Sequence, residues 1–360
     1  DLGGVVGFIV GGPVGAVIGA GIGATKVGEK VVNTVMDFVL QPFMPSIPDA
    51  GSAGEAERQQ GVLVQRQGST INVPVVYGYR KVGGAVTFAE TGSTNNKYLY
   101  VAYVFSEGLV EGLREVYIDD WLLPVEQVGQ LNAGQLVTVN ADRYKDRVQL
   151  RWYPGTYFSS PRSSSVGSTV KSDIFAEAPS FTSDMTYNGL AVLFARYEWK
   201  EIKTQEDADN NPFSGSIPEI QVAMLGKRVA SLLTSDSEFQ NYDSAPIRYS
   251  TNPAECLLDY LRNPRYGKGL TNNDIHWDTW RKAAVKANQA VTYLTTQPYT
   301  GPILTLNMVV DTGQTLMANT KTILQNFRAY MPYVQGRYKL RIEDAGNETD
   351  ILSEIGRAHV

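Results

Sequence analysis

Residues 252–270 read NPAECLLDYLRNPRYGKGL. Leu257, Leu258 and Leu261 recur at i, i+1 and i+4, so the stretch predicts a short helix over about 253–262 with one apolar face. Asn263-Pro264 ends it, because the residue before a proline is pushed out of the α region. Arg265 and Tyr266 then lead into Gly267-Lys268-Gly269, where glycine allows positive φ without a steric penalty. Taken alone, this is a helix, a stop and a tight corner of the kind any globular domain uses.

The chain around it has 360 residues, 43% hydrophobic and 19% charged, with a net charge of −5 and a pI near 5.3. That length suffices for two or three domains with a sizeable core. No basic stripe with interleaved aromatics is present, so nucleic-acid specificity is not expected. The single cysteine, Cys256, cannot form an internal disulfide and reads as a small buried hydrophobe in the predicted helix.

Toward the N-terminus, residues 3–25 (GGVVGFIVGGPVGAVIGAGIGAT) carry no charge. Gly3, Gly7, Gly11, Gly15, Gly19 and Gly23 recur every fourth residue, which on a helix forms a small-residue ridge for close helix packing. The apolar length approaches that of a bilayer crossing. Three readings stay open: a membrane-active or membrane-spanning helix, a helix packed inside an assembly, and a flexible glycine-rich segment. A cleaved signal peptide fits badly, since the apolar region is too long and no charged n-region precedes it. Segment 1–45 is thus expected to be a hydrophobic glycine-zipper helix, and the Pro/Gly/Ala/Glu-rich 46–60 a linker.

From residue 61 the apolar period becomes 2. Strands are expected at 62–66, 71–76, 85–90, 98–105, 113–118, 137–139, 148–153, 190–197 and 220–224. YLYVAYVF at 98–105 is nearly continuous and reads as a central strand. Asp119-Asp120 has turn chemistry. Residues 159–168 and 205–216 read as polar loops, and 61–230 as a β-rich body. From 231 to 353 the pattern mixes: a helix over 274–288 capped by Asn272 or Asn273, a strand at 303–310, a helix at 314–328, and a hairpin of 331–334 and 338–342 around Gln335-Gly336. The fold class is therefore α+β and β-rich, with β domains and a smaller α/β domain. The last seven residues, EIGRAHV at 354–360, resemble a translated sequencing adapter, so the natural sequence is expected to stop near Ser353, its reading frame cut there by the end of a sequencing read.

Little of the chain carries chemistry. With His276, His359 and one cysteine, neither a Cys–His pair nor a histidine-rich metal site is expected. Asp207, Asp209 and Asn211 alternate like a calcium loop, but Pro212 stands where an EF-hand needs glycine and its distal Glu is missing. Gly83-Gly84 and Gly267-x-Gly269 lack the spacing of a phosphate loop. No catalytic, cofactor-binding or metal-binding residue is singled out, and no cofactor is expected.

Several segments in order resemble one family. Residues 105–113, FSEGLVEGL, with Ser106, Glu107, Gly108, Glu111 and Gly112, resemble an "ISEGPIEG" segment, with Leu109-Val110 replacing Pro-Ile. Residues 73–78 (VPVVYG) and 82–84 (VGG) resemble "IPVVYG…VGG", and 262–270 (RNPRYGKGL), with Pro264, Arg265, Tyr266, Gly267 and Gly269, resembles an "HPRYGMG" corner. Residues 188–191 and 217–222 resemble the strands flanking an inserted hub domain. These segments are similar to the tip attachment protein J family, the host specificity proteins that form the central tail hub of lambda-type long-tailed bacteriophages. The likeness spans about residues 62–344 and leaves out the glycine ladder.

The resemblance implies a structural virion protein without catalysis, localised at the tail tip of the virion and assembled in the host cytoplasm. It implies a homotrimer that closes the distal end of the tail, with other tail-tip and tape-measure proteins as partners. A host receptor would be met through a C-terminal region beyond this chain. Apart from the resemblance, the apolar length and glycine spacing of residues 3–25 suit contact with a membrane. A bacterial membrane-anchored protein with a β-rich ligand module is the alternative, and a cell-wall enzyme using carboxylates a third reading.

Overall fold

The computed structural model describes residues 66–67, 72–93, 97–144, 146–156, 165–199, 211–213, 217–233, 242–293 and 298–343. The glycine-zipper segment 1–45, the 46–60 linker, Asp207 and Asp209, and the 354–360 tail lie outside these residues. The chain divides into two units, one of residues 1–73 and 81–225, the other of residues 74–80 and 226–360. The described fold is α+β and β-rich.

In chain order the strands are β1 (Arg66–Gln67), β2 (Val75–Tyr77), β3 (Tyr79–Gly83), β4 (Ala85–Gly92), β5 (Tyr98–Glu107), β6 (Val110–Ile118), β7 (Trp121–Leu122), β8 (Leu136–Thr138), β9 (Val148–Tyr153) and β10 (Leu190–Glu198). They continue with β11 (Ile220–Ala230), β12 (Ile247–Tyr249), β13 (Ala290–Tyr293), β14 (Tyr299–Pro302) and β15 (Met308–Val310). Four two-residue strands close the series: β16 (Ala329–Tyr330), β17 (Tyr333–Val334), β18 (Arg337–Tyr338) and β19 (Arg341–Ile342). The described helices are α1 (Val125–Asn132), α2 (Ser165–Ser172), α3 (Pro253–Arg262), α4 (Trp277–Ala287) and α5 (Leu316–Asn326).

The first unit is built on a six-stranded sheet in the order β1-β4-β5-β10-β9-β8. The apolar run at 98–105 is an interior strand of it, buried on both faces after Tyr98, which is why it does not alternate. Tyr100, Ala102, Val104, Val192 and Phe194 form one packed face. Val170, Ile174, Phe175, Ala178 and Phe181 cover that face from α2 and the turn after it. Phe175 meets Phe181 edge-on at 5.0 Å and Phe194 at 5.4 Å, a favoured aromatic geometry. Asp119 and Asp120, at φ 45° and 65°, make the two-residue turn between β6 and β7, as the turn chemistry predicts.

Two helices interrupt this unit where periodicity predicts none. Residues 125–132 wind into α1 because Val128 and Leu131 reach the core three residues apart. The loop expected at 159–168 gives way to α2 from Ser165, drawn into helix by burial of Val170. Eight-residue helices leave too few turns for their apolar period to stand out from that of a strand.

In the second unit, Arg228, Val229 and Ala230 of β11 pair antiparallel with β12, and β15 pairs antiparallel with β2. α3 is at the centre, with every residue from Pro253 to Leu261 buried. Trp280, Ala284 and Ala287 of α4, Ile323 and Phe327 at α5, and Leu340 join the same core. The expected hairpin around Gln335-Gly336 forms as β17–β18, with φ 54° and 77° at the turn, and β16 and β19 extend it.

Three local expectations are corrected here. Asn272 and Asn273 do not cap α4. They sit in a 3₁₀ turn closed by a capping box in which Thr271 and Asp274 bond one another's backbone, and α4 begins at Trp277, with His276 ahead of it. The strand expected at 303–310 shortens to Met308–Val310. Ahead of it, Ile303 and Leu304 donate their N–H groups to the carbonyls of Gln289 and Ala287, and Leu306 to that of Thr251.

Candidate functional site

The corner that opened the sequence lies over a buried polar centre. α3 starts with Asn252 as N-cap, its Oδ1 accepting from the N–H groups of Ala254 and Glu255, with Pro253 in the first turn, the favoured arrangement for both residue types. It ends at Asn263, whose Oδ1 accepts from the N–H of Arg265 at 2.8 Å and of Tyr266 at 3.4 Å. The carbonyl of Leu261 takes the N–H groups of Lys268 and Leu270, and that of Asn263 takes those of Gly267 and Gly269. These bonds occupy carbonyls that the end of the helix would otherwise leave open.

The two glycines of the corner answer different demands. Gly269 has φ +68°, the left-handed region. Gly267 is needed for space: a Cβ there would lie 1.8 Å from the carbonyl oxygen of Tyr260 and 2.6 Å from that of Asn263. The expectation that both supply positive φ is corrected at Gly267 by this close approach.

The corner places Tyr266 over the ring of Tyr260, 5.9 Å between centroids, and its hydroxyl accepts from Lys227 Nζ at 2.8 Å. Lys227 Nζ also donates to Asp259 Oδ2 at 2.6 Å, and Tyr77 donates its O–H to the same oxygen at 2.6 Å. Strand β2, strand β11, helix α3 and the corner thus each contribute one group. Burial opposes the Lys227 charge, but the Asp259 carboxylate and Tyr266 outweigh it and hold the ammonium above its usual range. Burial, then Asp259, pushes the Tyr77 hydroxyl well up. An ammonium and a carboxylate this buried are tolerated only when paired and hydrogen-bonded.

One helical turn earlier, Glu255 is fully buried and accepts from Leu232 N–H at 2.8 Å, from Ser231 Oγ at 3.2 Å and from Ser250 Oγ. Arg248 approaches to 3.5 Å. A cleft of about 210 Å³ beside it is lined by Arg248, Ser250, Asn252, Asn288, Pro302 and Leu304. Ser250 and Asn252 spend their side chains on internal partners there, Asn252 Nδ2 donating to the Ala284 carbonyl at 2.8 Å. Among the described residues no group of three or more His, Cys, Asp or Glu side chains is arranged to hold a metal ion, and no helix is long and apolar enough to cross a membrane.

The other expected fingerprint belongs to the first unit. Ser106 and Glu107 end β5, where Ser106 is fully buried and donates to the Glu107 carbonyl at 3.1 Å. Gly108, at φ 91°, donates its N–H to the Gly189 carbonyl at 2.6 Å. Glu111 is exposed on β6. A Cβ on Gly112, at φ +152°, would lie 2.9 Å from Asn132 Oδ1, and Asn132 clamps Leu113 by accepting from its N–H and donating to its carbonyl, both at 2.8 Å. Pro264 and Arg265 are exposed at the other corner. The two fingerprints lie in different units, and Lys227, Asp259, Tyr77 and Glu255 escaped the sequence reading. Their one signal was two acids, Glu255 and Asp259, four apart in a helix whose other residues are mostly apolar.

No family model matches the chain. It is 23% identical over 309 residues to the baseplate hub protein pb3 of Escherichia phage T5, covering 75% of this chain and 32% of that protein. The chain thus spans about a third of the length of the curated relative it matches. Among solved structures it is similar to a chain of the virion of a native gene transfer agent particle, at 14% identity and a TM-score of 0.41, over 91% of this chain and 63% of that one.

Proposed function

We propose that the chain is a structural part of the hub at the distal end of a phage tail, without catalysis. The observation that carries this is the similarity over 309 residues to a phage baseplate hub protein. The internal geometry supports it. The buried acids of α3 are consumed by Lys227, Tyr77, Ser231, Ser250 and backbone N–H groups, an investment in a fixed shape. The two resembling fingerprints likewise supply turns and close approaches, and extend the reading to a tip attachment hub of the J type.

In this reading the protein resides in the virion tail and works as a homotrimer among other tail-tip and tape-measure proteins. The β-rich hub portion lies within residues 61–230 and the α/β portion is 231–353, joined in its unit by segments 74–80 and 226–230. A receptor is met by sequence beyond this chain. Gly3, Gly7, Gly11, Gly15, Gly19 and Gly23 serve as the ridge of a helix that packs in the tail tip or contacts a membrane. Antibody raised against the chain should label virions at the distal tip of the tail, and disrupting the gene should leave heads without complete tails. Normal tails that carry no label would overturn the reading.

A further inference from the structure

Asn188 is the one asparagine of the sequence that glycine follows. Asn188 and Gly189 form the centre of the turn from Tyr187 to Leu190, which the Leu190 N–H closes by donating to the Tyr187 carbonyl at 3.1 Å. Gly189 has φ +79°, and a Cβ there would meet nothing within 4 Å. Asn188 Oδ1 is buried without a hydrogen-bond partner. Among the described residues the Gly189 N–H has none either. Asn132, Asn252 and Asn263, by contrast, spend their side chains on backbone groups. A buried polar atom left unpaired is uncommon in a folded protein and calls for a reason.

We propose that Asn188 is a self-modification site, at which the folded chain converts the amide to aspartate and isoaspartate through a cyclic imide with Gly189. The Gly189 nitrogen gives up its proton to water and attacks Asn188 Cγ, forming an N–Cγ bond. The Cγ–Nδ2 bond breaks, and Nδ2 leaves as ammonia with one proton taken back from water. A water then opens the imide, at Cγ to give aspartate or at the Asn188 main-chain carbonyl carbon to give isoaspartate. Nothing is oxidised or reduced, and water is the only co-reactant. Glycine puts no side chain in the way of ring closure, and neither reacting group has a hydrogen bond to a described residue to give up. The consequence falls on the fingerprint at the end of β5. The Gly189 carbonyl accepts from the Gly108 N–H at 2.6 Å, beside the point where Leu190 pairs with Glu107. Isoaspartate routes the main chain through the side-chain methylene and lengthens the turn just ahead of that carbonyl. The Gly108 bond and the start of the β5–β10 pairing are the contacts it loosens first.

The test holds the full chain folded, warm and at neutral pH for days in water enriched in heavy oxygen. Digestion with trypsin in ordinary water follows, so that only conversion before digestion carries the label. The tryptic peptide of residues 172–196 contains Asn188 and no other asparagine. It should lose ammonia and take up one heavy oxygen with time, ahead of the other asparagine peptides, and a share of it should be methylated by an isoaspartyl methyltransferase. Hydrogen exchange at the Gly108 amide should be faster in the aged protein than in the fresh one. Asn188→Gln, which would have to close a larger ring, should lose the conversion and keep Gly108 protected on ageing. The wild-type arm stands by itself if that variant misfolds. A peptide that stays amidated in the folded chain overturns the proposal, whatever the urea-unfolded chain does. Conversion that leaves Gly108 exchange unchanged overturns the loosening. The chemistry needs no tail hub, so either failure leaves that reading standing.

Discussion

Lys227 and Asp259 meet at 2.6 Å with side chains only 3% and 6% exposed. They stand 32 residues apart, one on β11 and the other on α3. Tyr77 from β2 and Tyr266 from the corner complete the cluster. The pair is therefore a joint between four chain segments within one unit.

Breaking one side of the joint should be worse than removing it. Asp259→Ala leaves a buried ammonium with only a phenol oxygen, and is expected to lower unfolding free energy by about 3–5 kcal/mol. The double variant Lys227→Met, Asp259→Leu should recover most of that loss. Urea unfolding of the three proteins measures it, and a double variant as unstable as the single would refute the account.

Alkali should unfold the protein. Lys227 is held protonated above its usual range, and Tyr77, Tyr103 and Tyr197 are raised by burial. Each binds a proton in the folded state that the unfolded chain releases near pH 10. Their stabilisation is complete below about pH 10 and falls as pH rises above it, because there the unfolded state binds fewer protons. Thermal midpoints measured from pH 8 to 11 should drop in the upper part of that range, and less steeply for Tyr77→Phe.

The glycines of the corner should separate by mechanism. Gly269→Ala places a side chain at positive φ and is expected to cost about 1–2 kcal/mol, with Gly269→Asn milder. Gly267→Ala would drive a Cβ into the Tyr260 carbonyl, and Asn there should bring no relief. Equal responses of the two positions to Ala and Asn in denaturant melts would contradict this.

Asn132 should behave as a backbone clamp. Asn132→Ala removes both bonds to Leu113 and is expected to cost about 1–3 kcal/mol, the range for leaving buried backbone groups unpaired. Asn132→Asp keeps the acceptor and loses the donor, so its chemical-denaturation midpoint should fall between wild type and Ala.

Much of the local architecture was legible. The interior strand at 98–105, the Asp119-Asp120 and Gln335-Gly336 turns, and α3 with its Asn-Pro stop follow from period, turn chemistry and capping, all of which act within a few residues. α1 and α2 were not legible, since eight residues give too little helical period to outweigh a β-rich context. The joint was hidden for another reason. α3 reads as amphipathic, and on an amphipathic helix Glu255 and Asp259 belong on the wet side.

The sequence by itself determined where the chain turns, which runs are apolar, and that the 252–270 stretch is a helix closed by a glycine corner. Only the tertiary structure decided that this helix is buried on every side, so that its acids need Lys227, Tyr77, Ser231 and Ser250. It also decided that Gly267 is glycine because a carbonyl presses against it. The reason is physical: propensities, caps and turns are settled by neighbours in the chain, whereas burial, and with it the obligation to pair a charge, depends on segments brought together from 182 residues away, as Tyr77 and Asp259 are.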